Sequence, residues 1–254
     1  MNKRGTKEYY EWLQAYLLKR KRKQNVEDIN NRAKKVLEED SEIRAGLEEA
    51  RQAAGPVFEE LMSVLQGVSE PDGKNSSREQ ALKSQIHALM SNAPDFNLSM
   101  DSLRQEYRRV PKAEGAESQL FIDTHLEPGT KPFIIKAIDF SIQSRTPFDF
   151  LVDRVLLHNA LFPNAPYQVH GFSFDNHDYE QSFRFIISQP FIKGKQPSRK
   201  QIDDFMSGLG FSKSKLNEDW YETDFLNVTD MHTKNALVDE KGNIYVIDDV
   251  IERR

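Results

Sequence analysis

The hydrophobic pattern of this chain changes period once, near residue 112, and one type of layer cannot satisfy both periods. Upstream, Tyr9, Trp12, Leu13, Tyr16 and Leu17 recur at three- and four-residue steps, as do Ile43, Leu47 and Ala50. "AAGPVFEELMSVLQG" restarts a helix, with Pro56 in its first turn and Gly67 as its stop. "VSEPDGKNSS" is a loop by composition, Ser77 to Met90 form a further amphipathic helix, and a last short one ends before Pro111. This is a helical region over residues 1–112.

From residue 113 onward short apolar or alternating runs dominate. "SQLFID" and "KPFIIKAIDF", separated by "LEPGT", predict a hairpin. "TPFDFLVDRVLLHNALFP" predicts one helix from Pro147 to Pro163, and "YQVHGFSF" and "SFRFIISQPFI" two more strands. "SRKQIDDFMSGLGF" predicts a helix capped by Ser198 and ended by Gly208 or Gly210. Strands then run to the end of the chain. Runs of strands interrupted by single helices predict an α+β fold rather than a doubly wound sheet.

Composition limits the function classes. At 254 residues and 38% hydrophobic, with sixteen Phe, the chain can build a real core. A net charge of −5 does not indicate a nucleic-acid partner. With no cysteine, disulfides and thiolate metal sites are excluded. The start carries neither an uninterrupted apolar run nor a small-residue cleavage site, and no later stretch would span a bilayer, so a cytoplasmic protein without membrane partners is expected. The basic run Lys19 to Lys23 predicts a solvated helical face, and the Tyr9, Trp12, Tyr16 stripe a core face.

The chemistry concentrates in "DMHTKNALVDEKGNIYVIDD", residues 230–249. With 19 Asp and 14 Asn in the chain, about one D-x-x-x-x-N pair is expected by accident. Requiring Asp248 thirteen residues beyond Asn235 lowers that to roughly 0.08, and adding His232 to about 0.002. "ALV" and "IYVI" around "DEKG" predict a β-hairpin that would hold Asn235 and Asp248 on one side of a rigid ribbon. Asp239 is the turn residue of that hairpin.

Asp230, Asn235 and Asp248 stand at the spacing of the protein-kinase catalytic loop and the metal aspartate that follows it. With "HNALFP", "QPFIKG" and "IDDFMSGLGF", the stretch resembles the Ser/Thr/Tyr kinase domain found in polyvalent proteins of bacterial mobile elements and phages, over about residues 113–254. The resemblance implies a minimal protein-kinase-like core: a β-rich nucleotide lobe and a catalytic lobe ending just after the metal-binding Asp248. It implies an ATP- and Mg2+-dependent phosphotransferase acting on a protein or small-molecule hydroxyl. Asp230 would be the catalytic base, His232 would pin its loop, and Asn235 and Asp248 would hold the metal.

For the nucleotide, Lys136 inside "FIIKAI" is the expected phosphate contact, because a charge in mid-strand is costly unless paired. The family's usual partner is a helix glutamate, but residues 147–163 contain no Glu. Asp153 and Glu117 are the candidate partners, and only Gly115 remains of a glycine-rich loop. Adenine is expected at the backbone of Gln189 and Phe191, with Pro190 lacking an N–H. The poor glycine loop and absent helix Glu leave open a pseudokinase, a nucleotide-binding interaction module with a helical adaptor region. The helices of residues 1–110 are expected to substitute for the missing part of the catalytic lobe.

Overall fold

A computed structural model of the chain describes residues 41–68, 78–111, 117–122, 131–140, 145–177, 180–224 and 226–253. The Tyr9–Trp12–Tyr16 stripe, the Lys19 to Lys23 run, Gly115 and the "LEPGT" turn lie outside the described residues. The fold is α+β, with antiparallel sheets. It divides into two compact units, residues 51–155 with 166–191, and residues 1–50 with 156–165 and 192–254.

In the 51–191 unit, five strands are β1 Arg108–Arg109, β2 Ser118–Ile122, β3 Phe133–Asp139, β4 Gln168–His177 and β5 Glu180–Pro190. Their order is β1-β2-β3-β5-β4, antiparallel throughout. Helix α1 is Ser41–Ala54, and this unit carries α2, Pro56–Gln66, and α3, Arg78–Asn92. Pro56 opens α2, where its missing N–H costs nothing, and Phe58, Leu61, Met62 and Leu65 form its buried stripe. Helix α2 packs on β4 and α3 packs on α2. A short helix, α4 Met100–Glu106, is capped by Ser99 and lays Met100 and Leu103 against Phe121, Ile135, Ala137 and Ile186.

Gly171 permits an additional edge contact. A Cβ there would stand 2.3 Å from the Phe96 carbonyl oxygen, and its φ of +149° suits glycine. The absence of a side chain lets Asn97 bridge to Phe172, with the Phe174 N–H donating to Asn97 Oδ1 at 3.1 Å.

The helix expected over 147–163 is not one regular helix. Thr146 caps α5, Pro147–Asp149; the wider π form follows over Phe150–Leu156, and α6 is Leu157–Leu161. The π turn sits where Phe150 stacks on Phe185 (centroids 5.0 Å apart) and meets Phe140 edge-on at 5.4 Å. Hydrophobic spacing resolves a 3.6-residue period and does not resolve such a local widening.

In the other unit, α7 Arg199–Gly208 is closed by a capping box between Ser198 and Gln201. A four-stranded sheet runs β11-β8-β7-β6, built from β6 Ser212–Lys213, β7 Tyr221–Glu222, β8 Leu226–Thr229 and β11 Val250–Arg253. The predicted ribbon is present as β9 Ala236–Val238 paired with β10 Ile244–Val246. Its turn is organised by Asp239, which accepts from the N–H groups of Lys241 and Asn243 (both 2.9 Å), from the Asn243 amide and from the Tyr245 hydroxyl. The Asn243 amide foremost, with the other donors, holds the Asp239 carboxyl down at about 2.

Candidate active site

Three strand ends converge in the 192–254 segment. Val250 of β11 pairs with Thr229 of β8, so residues 230 and 249 leave that sheet side by side. The β9–β10 ribbon brings Asn235 beside the same turn: its carbonyl accepts from the N–H of Ile247 (2.9 Å) and of Asp248 (3.2 Å). The Asn235 amide nitrogen donates to Asp230 twice, to the carbonyl at 2.9 Å and to Oδ2 at 2.8 Å. Asn235 therefore ties both acids to itself, one through its side chain and one through its backbone. With the amide N–H2 committed to Asp230, its Oδ1 is the donor atom left for a cation.

Asp230 is the one non-glycine residue with a positive φ (62°) among the described residues. Aspartate tolerates this left-handed conformation better than most side chains, and such backbone persists where the surroundings hold it. A ring of bonds holds the residue that follows it. On the C-terminal side, Arg199 Nη1 donates to the Met231 carbonyl at 2.9 Å, the Met231 N–H donates to the Asp219 carbonyl at 3.0 Å, and Arg199 closes the ring by an ion pair with Asp219. Burial opposes the Arg199 charge, but its bonds to Tyr221 and Asp219 raise its pKa on balance. Tyr221, pushed up to about 12 by burial and by its bond to Asp203 (2.5 Å), stays a neutral donor.

His232 holds the loop through its backbone: its carbonyl accepts from the Asn235 N–H at 2.9 Å. Its ring Nε2 stands 3.6 Å from Asp230 Oδ1, and its buried Nδ1 has no hydrogen-bond partner.

Two residues outside the Asp230, Asn235 and Asp248 pattern form a pair. Asp249 is turned inward and 0% exposed at its side chain. It meets the equally buried His158 of α6, with Oδ1 2.6 Å from Nδ1. His158 Nε2 faces the Ala165 carbonyl at 2.9 Å. Neighbouring Asn159 donates to the Ala50 carbonyl at 3.2 Å, which gives that residue a role the sequence did not supply. Only the "HNALFP" motif pointed at this region, and it did so without a chemistry.

In the 51–191 unit, Lys136 is buried in β3 with Nζ 5.1 Å from the centre of the Tyr167 ring, a cation–π contact that offsets part of its desolvation. Asp153 is 7% exposed and lies in the π turn. Glu117 stands 3.8 Å from Arg154, a 3%-exposed arginine that sequence reasoning missed because its neighbours read as a continuous apolar helix face. Gln189 is buried opposite Ile134, and Phe191 is exposed, with its N–H donating to the Pro132 carbonyl at 2.9 Å.

These elements define an α+β protein with an Asp230–Asn235 side-chain pair, the Asp248 backbone bonded to the same asparagine, and a buried strand lysine. The chain belongs to the family described as serine/threonine/tyrosine kinase found in polyvalent proteins, whose sequence model matches residues 83–253. The match begins upstream of residue 113, where the resemblance in the sequence starts, and so takes in most of α3 and all of α4. No curated protein matches the chain, and neither does any solved structure. No described helix is long and apolar enough to cross a membrane.

Proposed function

We propose that this protein is an ATP- and Mg2+-dependent phosphotransferase that moves the γ-phosphoryl group to a hydroxyl. The observation that carries this reading is the position of Asn235, bonded by its amide to Asp230 and by its carbonyl to the Asp248 N–H. Phosphoryl transfer asks a protein for alignment and charge neutralisation more than for covalent chemistry.

The donor set suits magnesium. Asn235 Oδ1 and the Asp248 carboxylate are hard oxygens, and Mg2+ ordinarily takes one or two protein oxygens, leaving its other positions to phosphate and water. Among the described residues no group of three or more His, Cys, Asp and Glu could hold an ion alone, so this pair is the proposed ligand set. The bound ion would neutralise phosphate charge. Asp230 accepts or orients the proton of the attacking hydroxyl. Lys136 contacts phosphate, with Asp153 or Glu117 as its acidic partner, and Gln189 and Phe191 border adenine. We propose further that the helical stretch to residue 112 and the kinase-like stretch 113–254 act as one enzyme.

A second reading is favoured by the Phe191 N–H. It is committed to Pro132 and Pro190 has no N–H, so this segment offers adenine few backbone donors. A weak nucleotide-binding interaction module would tolerate that. Thermal unfolding with ATP plus Mg2+, repeated with Asp248→Asn, tests nucleotide binding: the kinase reading expects a metal-dependent rise in Tm that the variant loses. Transfer of labelled γ-phosphate, lost in Asp230→Ala, then separates enzyme from module; binding without transfer selects the module.

A further inference from the structure

The pair His158–Asp249 is more deeply buried than any other acid–base contact among the described ion pairs, yet a buried pair rarely stabilises a fold better than two apolar side chains would. Its value lies in direction. From α6 a continuous line of hydrogen bonds reaches the proposed metal carboxylate. The Ala165 carbonyl faces His158 Nε2 at 2.9 Å, His158 Nδ1 meets Asp249 Oδ1 at 2.6 Å, and the Asp249 N–H donates to Asp248 Oδ1 at 3.2 Å. One ring nitrogen opposes a carbonyl and the other a carboxylate, so both contacts require a proton between the partners and both orient the ring.

We propose that His158 is a positioning residue for the metal site: it anchors Asp249 inward, and the Asp249 backbone thereby presents the Asp248 carboxylate outward. Two adjacent aspartates in the link from β10 to β11 would otherwise compete for one cation. The histidine removes that ambiguity by drawing the second acid into the core. The inference rests on the reading of Asp248 as a metal ligand. It parallels the general rule that groups behind a ligand set its orientation and, when removed, cost ten- to a hundred-fold in metal affinity.

The test uses the full chain, Mn2+ as a paramagnetic substitute for Mg2+, and a non-hydrolysable ATP analogue, with bound Mn2+ read by electron paramagnetic resonance. His158→Leu and Asp249→Leu are expected to weaken Mn2+ binding about ten- to a hundred-fold. Asp249→Asn is expected to stay within about threefold of the wild type, since its amide can donate to His158 Nδ1 while Nε2–H keeps the Ala165 carbonyl. Asp248→Asn should abolish binding. The idea is overturned if Asp249→Asn fails as badly as Asp249→Leu, which would make the carboxylate itself a ligand. It is equally overturned if folded His158→Leu binds Mn2+ like the wild type. Should the leucine variants not fold, Asp249→Asn and His158→Gln decide between near-native affinity, which supports the anchor, and lost affinity, which overturns it. A wild type whose Mn2+ binding is absent, or indifferent to Asp248→Asn, sinks the metal reading itself and this inference with it, a result distinct from the other failures.

Discussion

Replacing Arg199 by alanine should both destabilise the protein and loosen the turn at Asp230. The guanidinium makes one charge-assisted bond to the fully buried Met231 carbonyl (2.9 Å), a longer one to Glu218 O (3.3 Å) and the ion pair with Asp219. A hydrogen bond to a charged donor contributes about 1.5–3 kcal/mol when its acceptor is otherwise stranded. The ion pair adds less, under about 1 kcal/mol, because both side chains keep more than a quarter of their exposure and water screens them. The expected loss is therefore about 2–3 kcal/mol, which for a chain of this size lowers Tm by roughly 5–10 °C. Arg199→Lys should lose less, about 1 kcal/mol, since it keeps the charge but not the planar fork that serves two acceptors. Urea midpoints for Arg199→Ala, Asp219→Ala and the double variant would show the geometry directly. The closed ring predicts a coupling of at least about 0.5 kcal/mol, the lower end for residues in one network. Additive losses, or a single-variant change under about 0.5 kcal/mol, would refute the bracket around Asp230.

Gly194→Ala should weaken the bridge between Lys195 and Val238. The new Cβ would meet the Val238 carbonyl oxygen at 2.9 Å, and such overpacking costs about 1–3 kcal/mol, readable as a lower thermal midpoint. His170, bonded to Ser188 at 2.8 Å, has its pKa lowered by burial, so the unfolded chain protonates before the folded one. Its contribution is complete above the unfolded value of 6.5 and is lost as pH falls below it, so His170→Asn should flatten the decline of stability between roughly pH 7 and pH 5. Deleting residues 1–110 should leave an insoluble or molten fragment, because it strips Phe58, Leu61, Met62 and Leu65 from beside β4 and Met100 and Leu103 from the sheet core. A sharp near-ultraviolet dichroism spectrum and cooperative melting of 111–254 would contradict this.

What is legible in the sequence is what a few consecutive residues decide. Ser198 was recognisable as a cap because a hydroxyl and the backbone N–H two or three residues on are always neighbours at a helix start. The β9–β10 ribbon was recognisable because Asp239 to Asn243 carry their own turn chemistry. The pattern of Asp230, Asn235 and Asp248 was visible for a related reason: a tight turn and a hairpin convert fixed spacing into fixed proximity. The pairing of β11 with β8 was not visible, since nothing local links Val250 to Thr229. Nor was the helical stripe of α2 assignable to a strand over a hundred residues away.

The pair of aspartates at 248 and 249 shows where that boundary cuts through a single site. The spacing from Asn235 singles out Asp248 as the proposed cation ligand, but spacing cannot say what happens to the acid beside it. Left at the surface, it would rival its neighbour; buried alone, it would be untenable as a charge. His158, ninety-one positions earlier, takes that acid into the core with one contact, and no periodicity relates the two positions. A pattern read along a ribbon therefore names the candidate groups for a ligand. The groups that aim them sit on other elements, and they are found by asking what each buried acid beside the pattern is bonded to.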